Sequence, residues 1–415
     1  MSGLSSPPAK EPSGAKADEG PRARMVTQAE EVSEVARELA SSERIAFDLE
    51  SNGLFAYRAR VCALQLGRGT EVTVIDSLVA PLAPLLALLG ESGPVKIVHD
   101  VAFDARLLAE AGIALGNCHD TSIAARMLGR TATGLATLLL SELGVTVDKS
   151  MQQHDWSRRP FDERALTYLA SDVVHLEKLD DVIWGAVRAA GIEDEVLCET
   201  RYRLSCAILS AGTPEERPPY VRIKGIERAP NVDLAILRRL ADVREAEAAR
   251  VDVAPYKIIG NEVLIAIAKA KPSTHGDLVR IRAATLGRAS GISKELLRAV
   301  AAGIADGNVP DKDRIWLERP VVPTVIAKAR RTRETRLMAW RKAEALLRGV
   351  DEQAILPGHC VKDIGEDEIT SEDELAKIPG IGAFRVQRYG EAILKALVTA
   401  VAAPPPPPAG GPESA

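Results

Sequence analysis

The segment RIAFDLES, residues 44–51, places branched and aromatic residues in alternation and runs into a polar turn, Ser51-Asn52-Gly53. That pattern predicts a β-strand closed by a turn. Asp48 and Glu50 are two apart on it, so both point to one face of a sheet. An acid at the end of an apolar run is costly to bury unless something pairs with it. Two further stretches repeat the situation: KIVHDVAFDARLL carries Asp104, and YLASDVVHL carries Tyr168 and Asp172. Tyr168 and Asp172 are four apart, one turn apart on one helix face. Taken singly, Asp-x-Glu at a strand end, an acid on a surface helix and a Tyr/Asp pair one turn apart are all ordinary. Taken in order, they suit one site in which divalent cations hold four carboxylates together. Such a site implies a two-metal phosphodiesterase centre.

The composition narrows the partners. With 415 residues, 46% of them hydrophobic, the chain is long enough for two or three cores. No apolar run reaches the length of a membrane span, and MSGLSSPPAKEPSGAKADEGPRAR lacks the apolar stretch of a secretory signal. Its Pro, Gly, Ser and charge predict a disordered lead over residues 1–24. Five scattered cysteines fit neither a zinc site nor a disulfide framework and suit a reducing cytoplasm. The net charge of −5 hides an asymmetry: residues 201–348 hold 29 Lys and Arg against 17 Asp and Glu. An acidic part joined to a basic part suits an enzyme acting on a polyanion, although basic helices are often merely solvated.

Working outward from residues 44–51, VTQAEEVSEVARELA reads as a helix, and VCALQLGRG and EVTVIDS as two more strands. PLAPLLALLG is a helix, VKIVHD a fourth strand and VAFDARLLAEAG the helix after it. DTSIAARMLG opens on an Asp suited to an N-cap, LATLLLSELG follows in helical period, and a long helix is expected from Phe161 to about Ala190. The order predicts a mixed sheet flanked by helices. Residues 209–230, rich in Pro, Glu and Arg, read as a linker. Beyond them a weak repeat relates residues 237–281 to residues 336–382, predicting two helical modules at 231–310 and 325–402. The catalytic part then occupies 25–208, and the Pro-rich end, 403–415, reads as a disordered tail.

These motifs resemble a known family. FDLES, HDVAFD and YLASD are similar to the three motifs of the DEDDy 3′–5′ exonucleases, and VDKSMQQHDWSRRPFDERALTYLASDV resembles the ribonuclease D family within them. The helical modules resemble HRDC domains, paired as in that family. The resemblance implies an α/β ribonuclease-H-like exonuclease domain followed by two all-α HRDC-like domains. It implies Asp48, Glu50, Asp104 and Asp172 as ligands of two Mg²⁺ or Mn²⁺ ions, with Tyr168 orienting the attacking water. The histidine subclass carries its histidine where this chain has Thr167, which favours the tyrosine subclass. The implied activity is release of 5′-mononucleotides from RNA with a free 3′ end, tRNA precursors among them, without a nucleotide cofactor. A DNA 3′–5′ exonuclease and an inert nucleic-acid-binding protein are the competing readings.

Strand-holding candidates lie beside the motifs. Leu54 and Phe55 are placed to wedge a terminal base or to join a core, Phe103 to pack beneath the site or line it, and His99 to contact phosphate or cap a strand end. Lys149 suits a phosphate, and Trp156 offers either a stacking face or a packing anchor. In the basic half, KARRTRETR offers Lys328, Arg330, Arg331, Arg333 and Arg336 to phosphates. IPGIGAFRVQRYG resembles a helix-hairpin-helix turn whose N–H groups meet phosphate, a turn that ATLGRASGIS of the first module lacks.

Overall fold

A computed structural model describes residues 23–212, 217–281, 291–317 and 322–398. The described part of the catalytic half forms a six-stranded sheet: β1 (Ala23–Val26), β2 (Arg44–Ser51), β3 (Val61–Arg68), β4 (Glu71–Asp76), β5 (Val95–Val98) and β6 (Cys118–Asp120). Its order is β1-β4-β3-β2-β5-β6. β2, β3 and β4 are an antiparallel meander, while β5 runs parallel to β2, β6 to β5 and β1 to β4. The sheet is therefore mixed, as expected. Two strands had no counterpart in the sequence reading. β1 starts inside the stretch expected as a disordered lead, and β6 is three residues long. Both lie at sheet edges and are defined by the neighbour they pair with, which no local pattern announces. The remainder of that lead, and the Pro-rich tail, lie outside the described residues.

Eight helices flank the sheet: α1 (Ala29–Leu39), α2 (Leu86–Leu89), α3 (Ala102–Glu110), α4 (Thr121–Met127), α5 (Leu135–Leu143), α6 (Glu163–Val173), α7 (Leu176–Ala190) and α8 (Glu193–Gly212). Alternation on β2 decides the layers. Phe47 and Leu49 point into one core, with Leu64, Leu66, Ile75 and the apolar faces of α1 and α3. Ala46 points into the other, with Trp156, Tyr168, Leu169 and Val173. Asp48 and Glu50 share the Ala46 face by register, so α6 lies over the carboxylates.

The single long helix expected from Phe161 to Ala190 is two. Val174 caps α6, and His175 precedes α7 with φ −101° and ψ −6°. α6 packs on β1 to β4, whereas α7 packs mainly against α4 and α5 and meets the sheet at β5 and β2. One straight rod does not satisfy both faces, so packing breaks a stretch that helical period alone leaves continuous. The stretch expected as a linker, 209–230, is partly built in as well. α8 continues to Gly212, and Tyr220, Val221, Ile223 and Ile226 are buried in the core of the first helical module. Prolines set the turn there, but four large apolar side chains anchor it.

The helical half repeats one plan. α9 (Asn231–Val251), α10 (Pro255–Ile258), α11 (Asn261–Ala270), α12 (His275–Arg280) and α13 (Ser293–Asp306) form the first module, followed by α14 (Asp311–Leu317). α15 (Thr324–Arg348), α16 (Glu352–Ile355), α17 (Gly358–Glu366), α18 (Glu372–Leu375) and α19 (Ala383–Val398) form the second. The repeated Ser/Thr-initiated helix is visible in both: Thr274 Oγ1 accepts from Asp277 N, and Ser371 Oγ accepts from Glu374 N. Among the described residues no helix is long and apolar enough to cross a membrane.

Candidate active site

β2 carries Asp48 opposite Gln65 of β3, and Glu50 opposite Ala63. Cross-strand partners share a face, so the small Ala63 leaves room beside Glu50, and the buried Gln65 amide lies on the same side as Asp48. Neither polar atom of that amide has a partner.

Asp104 is buried in the first turn of α3, where the helix N–H groups favour negative charge. Its helix is placed by a second acid. The fully buried Asp120 accepts from the backbone N–H groups of Asp100 (3.2 Å), Val101 (2.9 Å), Ser122 (2.9 Å) and Ile123 (3.1 Å). It is the N-cap the sequence suggested, and it also ties the loop entering α3 to the start of α4.

Asp162 caps α6 by accepting from Ala165 N at 2.8 Å, and Tyr168 and Asp172 follow on the face turned to the sheet. Tyr168 rests on Trp156, ring centroids 5.6 Å apart. Arg159, which no reading singled out, fastens the segment beneath. Its Nη2 donates to Asp76 Oδ1 (2.7 Å) and Cys62 O (2.8 Å), its Nη1 to Trp156 O (2.6 Å), and its guanidinium lies 3.9 Å above the Phe161 ring. Its only sequence signal is its place in the motif-like stretch before α6.

Electrostatics bring the separate acids together. Burial pushes the Asp48 carboxyl up to about 7. Glu50 is pushed up to about 9, first by burial and then by Asp48, Asp172 and Asp104. Asp172 rises to about 8 through burial and Asp48, and Asp104 stands well above the ordinary carboxylate value through burial and then Asp48. Carboxylates that raise one another in this way face a common volume. Tyr168 is raised too, by burial and then Asp172, Glu50 and Asp48, so its hydroxyl stays protonated at neutral pH. Among the described residues no group of three or more His, Cys, Asp or Glu side chains stands arranged to hold a metal ion. The donors are nonetheless all oxygen, as magnesium or manganese requires. Their raised affinity for protons is what a buried cation would offset.

The neighbours divide. Leu54 and Phe103 are 47% and 48% exposed, so Phe103 stands at the surface and does not pack beneath the site. Lys149 is exposed. Trp156 is 1% exposed and offers no stacking face to a ligand; it is the packing anchor under Tyr168. His99 is tied to Thr121 Oγ1 at 2.9 Å and to the Thr133 backbone, and burial lowers its pKa, which makes it a strand-end brace rather than a phosphate contact.

Two readings of the basic half also change. Arg333 donates to Gly365 O and Arg336 to Leu397 O, capping helix ends, while Lys328 and Arg331 stay exposed. The glycines of the turn before α19 are half-buried against α8. At Gly380, φ +78°, an added Cβ would lie 2.6 Å from His359 Nε2 and 2.8 Å from Tyr202 Cδ2; at Gly382 it would lie 2.8 Å from Cys198 Sγ. The turn is seated on α8, so its role is docking. Most of ATLGRASGIS lies outside the described residues.

Comparison with known proteins gives the family. A family described as 3′-5′ exonuclease matches residues 23–187, and the HRDC domain matches residues 233–301 and 331–397. The fold and site thus define a 3′–5′ exonuclease joined to two HRDC domains. A ribonuclease D from Gluconacetobacter diazotrophicus is 31% identical over 70% of this chain and 75% of its own length. One from Sphingobium indicum is 30% identical over 70% and 76%. The crystal structure of Escherichia coli RNase D, described as an exoribonuclease involved in structured RNA processing, superposes with a TM-score of 0.65 at 22% identity, covering 90% of this chain and 98% of that one. A Bifidobacterium adolescentis protein reaches 0.73 at 21% identity, covering 91% and 100%. The chain belongs to the ribonuclease D family of 3′–5′ exoribonucleases.

Proposed function

We propose that this chain is a metal-dependent 3′–5′ exoribonuclease that releases 5′-mononucleotides stepwise from structured RNA, tRNA precursors among them. The reading is supported by the coupling of four acids from three elements: Asp48 is raised by burial, and it in turn raises Glu50, Asp104 and Asp172. These four would hold two Mg²⁺ or Mn²⁺ ions, whose chemistry is to activate a water and stabilise a departing 3′ oxygen. Tyr168, kept neutral, donates or accepts a hydrogen bond to orient that water and does not act as a base. Trp156 and Arg159 hold Tyr168 and the segment under it in place. Leu54, Phe103 and Lys149 are exposed near the motifs in sequence and suit a terminal base and a phosphate. The acidic catalytic half and the basic helical half suit a polyanion that runs from one to the other.

The test is matched 3′-labelled and 5′-labelled RNA and DNA with full-length protein in magnesium, manganese or chelator. Mononucleotide release from RNA, abolished by chelator and by Asp48→Ala while binding persists, is the expected result. Tyr168→Phe should lower kcat by about 10²-fold or more at nearly constant KM. DNA degradation in preference to RNA would sustain the DNA-exonuclease alternative. Tight binding without cleavage would sustain the inert one.

A further inference from the structure

The two helical modules meet the catalytic half in different places. The second is anchored on α8, where Glu195 Oε1 accepts from Arg348 (3.1 Å) and Arg388 (2.7 Å) and Cys198 Sγ donates to Gly380 O. The first reaches the loop that leaves β2 just past Glu50. Tyr256 of α10 donates its hydroxyl to Leu54 O at 2.8 Å. Lys257 Nζ lies 3.6 Å from the centroid of the Phe55 ring. Asp252, at the C-terminal cap of α9, accepts from Tyr57 N (3.2 Å) and from Arg60 Nη2 (3.1 Å). These contacts converge on residues 54–60, a loop whose own hydrogen bonds run through Asn52, which accepts from Phe55 N, Ala56 N and Arg60 N, next to a register shift in the β2–β3 pairing between Glu50 and Ser51.

A contact that served only to join two bodies would bury its apolar groups. Here Leu54, four residues past Glu50, and Tyr256, bonded to its carbonyl, stay 47% and 55% exposed. The backbone carbonyl and the Phe55 ring are gripped while the faces above them are left open. The grip is also of two kinds, a hydrogen bond to main chain and a cation over an aromatic face. Together they define both the height and the tilt of the loop.

We propose that Tyr256 and Lys257 are positioning residues: the first helical module sets the Leu54–Phe55 loop against which the 3′-terminal nucleotide rests. The module then governs how fast a bound end is cut and not only how tightly RNA is held. The inference rests on the exonuclease reading above and deepens it, assigning to α10 a part in the chemistry's geometry.

The test uses full-length protein carrying Tyr256→Phe, Lys257→Met or Lys257→Arg. Steady-state hydrolysis of a 5′-labelled single-stranded RNA is followed with magnesium, and the salt dependence of KM is recorded. Tyr256→Phe and Lys257→Met should each lower kcat by about 3- to 10-fold, the size of one such contact, with KM changed less than about twofold. Lys257→Arg should restore kcat, because a guanidinium keeps the cation over the ring. That rescue separates positioning from unfolding. Unmoved kcat in both variants, or a raised KM with a flatter salt dependence at constant kcat, overturns the proposal; the second result would make Lys257 a phosphate contact. Wild-type protein that leaves RNA intact overturns the nuclease reading and this inference with it. Active wild type with unmoved variants overturns this inference alone.

Discussion

Glu50 is an acid held among three others, with its carboxyl raised to about 9. An acid whose folded pKa lies above its unfolded value keeps its proton in the native state after the unfolded chain has lost it. Stability from this source is therefore fully present below the unfolded value near 4.5 and declines as pH rises toward 9. Without metal, Glu50→Gln should melt higher than wild type, and the gap should widen from pH 5 to pH 8.5. About 1 kcal/mol would appear as a shift of about 2–4 °C. Thermal melts in chelator at three pH values check this; a gap that narrows with pH would refute the crowding. The same substitution should remove a ligand and with it cleavage, so the residue trades stability for function.

At the scale of elements, α8 does more than close the catalytic half. It packs along α3, whose first turn holds Asp104, and its outer face receives the second module. Arg385 of α19 is fully buried there and donates to Ile381 O (3.0 Å), Ala354 O (3.3 Å) and Glu195 O (3.5 Å). Glu195→Leu leaves Arg348 and Arg388 without their shared carboxylate. It should cost about 1–3 kcal/mol, tempered because Arg388 is partly exposed and can turn to water. The expected sign is earlier proteolytic cleavage between α14 and α15 and an expanded scattering profile, with the catalytic half still melting cooperatively. An unchanged profile would mean that the Gly380 turn and the main-chain contacts of Arg385 hold the docking without the Glu195 carboxylate.

At the scale of the whole molecule, a cation that binds only the folded site should stabilise it by mass action, about 2.7 kcal/mol at a hundredfold excess over its Kd. Magnesium or manganese should raise the melting temperature of the wild type and leave that of Asp48→Ala nearly unmoved. Equal responses would place the ion elsewhere, whatever the activity of either protein. The readout is independent of substrate, so it tests the carboxylate site apart from the reaction.

What sequence alone determined is whatever is written locally. Alternation on residues 44–51 put Asp48 and Glu50 on one face, helical period put Tyr168 and Asp172 on another, and an Asp before an apolar run marked the cap at Asp120. The repeated order of helices announced two modules. Tertiary structure decided what depends on neighbours distant along the chain. It made Trp156 a buried support, His99 a brace and the Pro-Gly turn a docking surface, and it broke one expected helix where the packing partners change. It also brought Tyr256 and Lys257 to Leu54 and Phe55, some two hundred residues away. The physical reason is the same in each case. Periodicity and capping are satisfied within a few residues, whereas burial is a property of the surface that arrives from elsewhere.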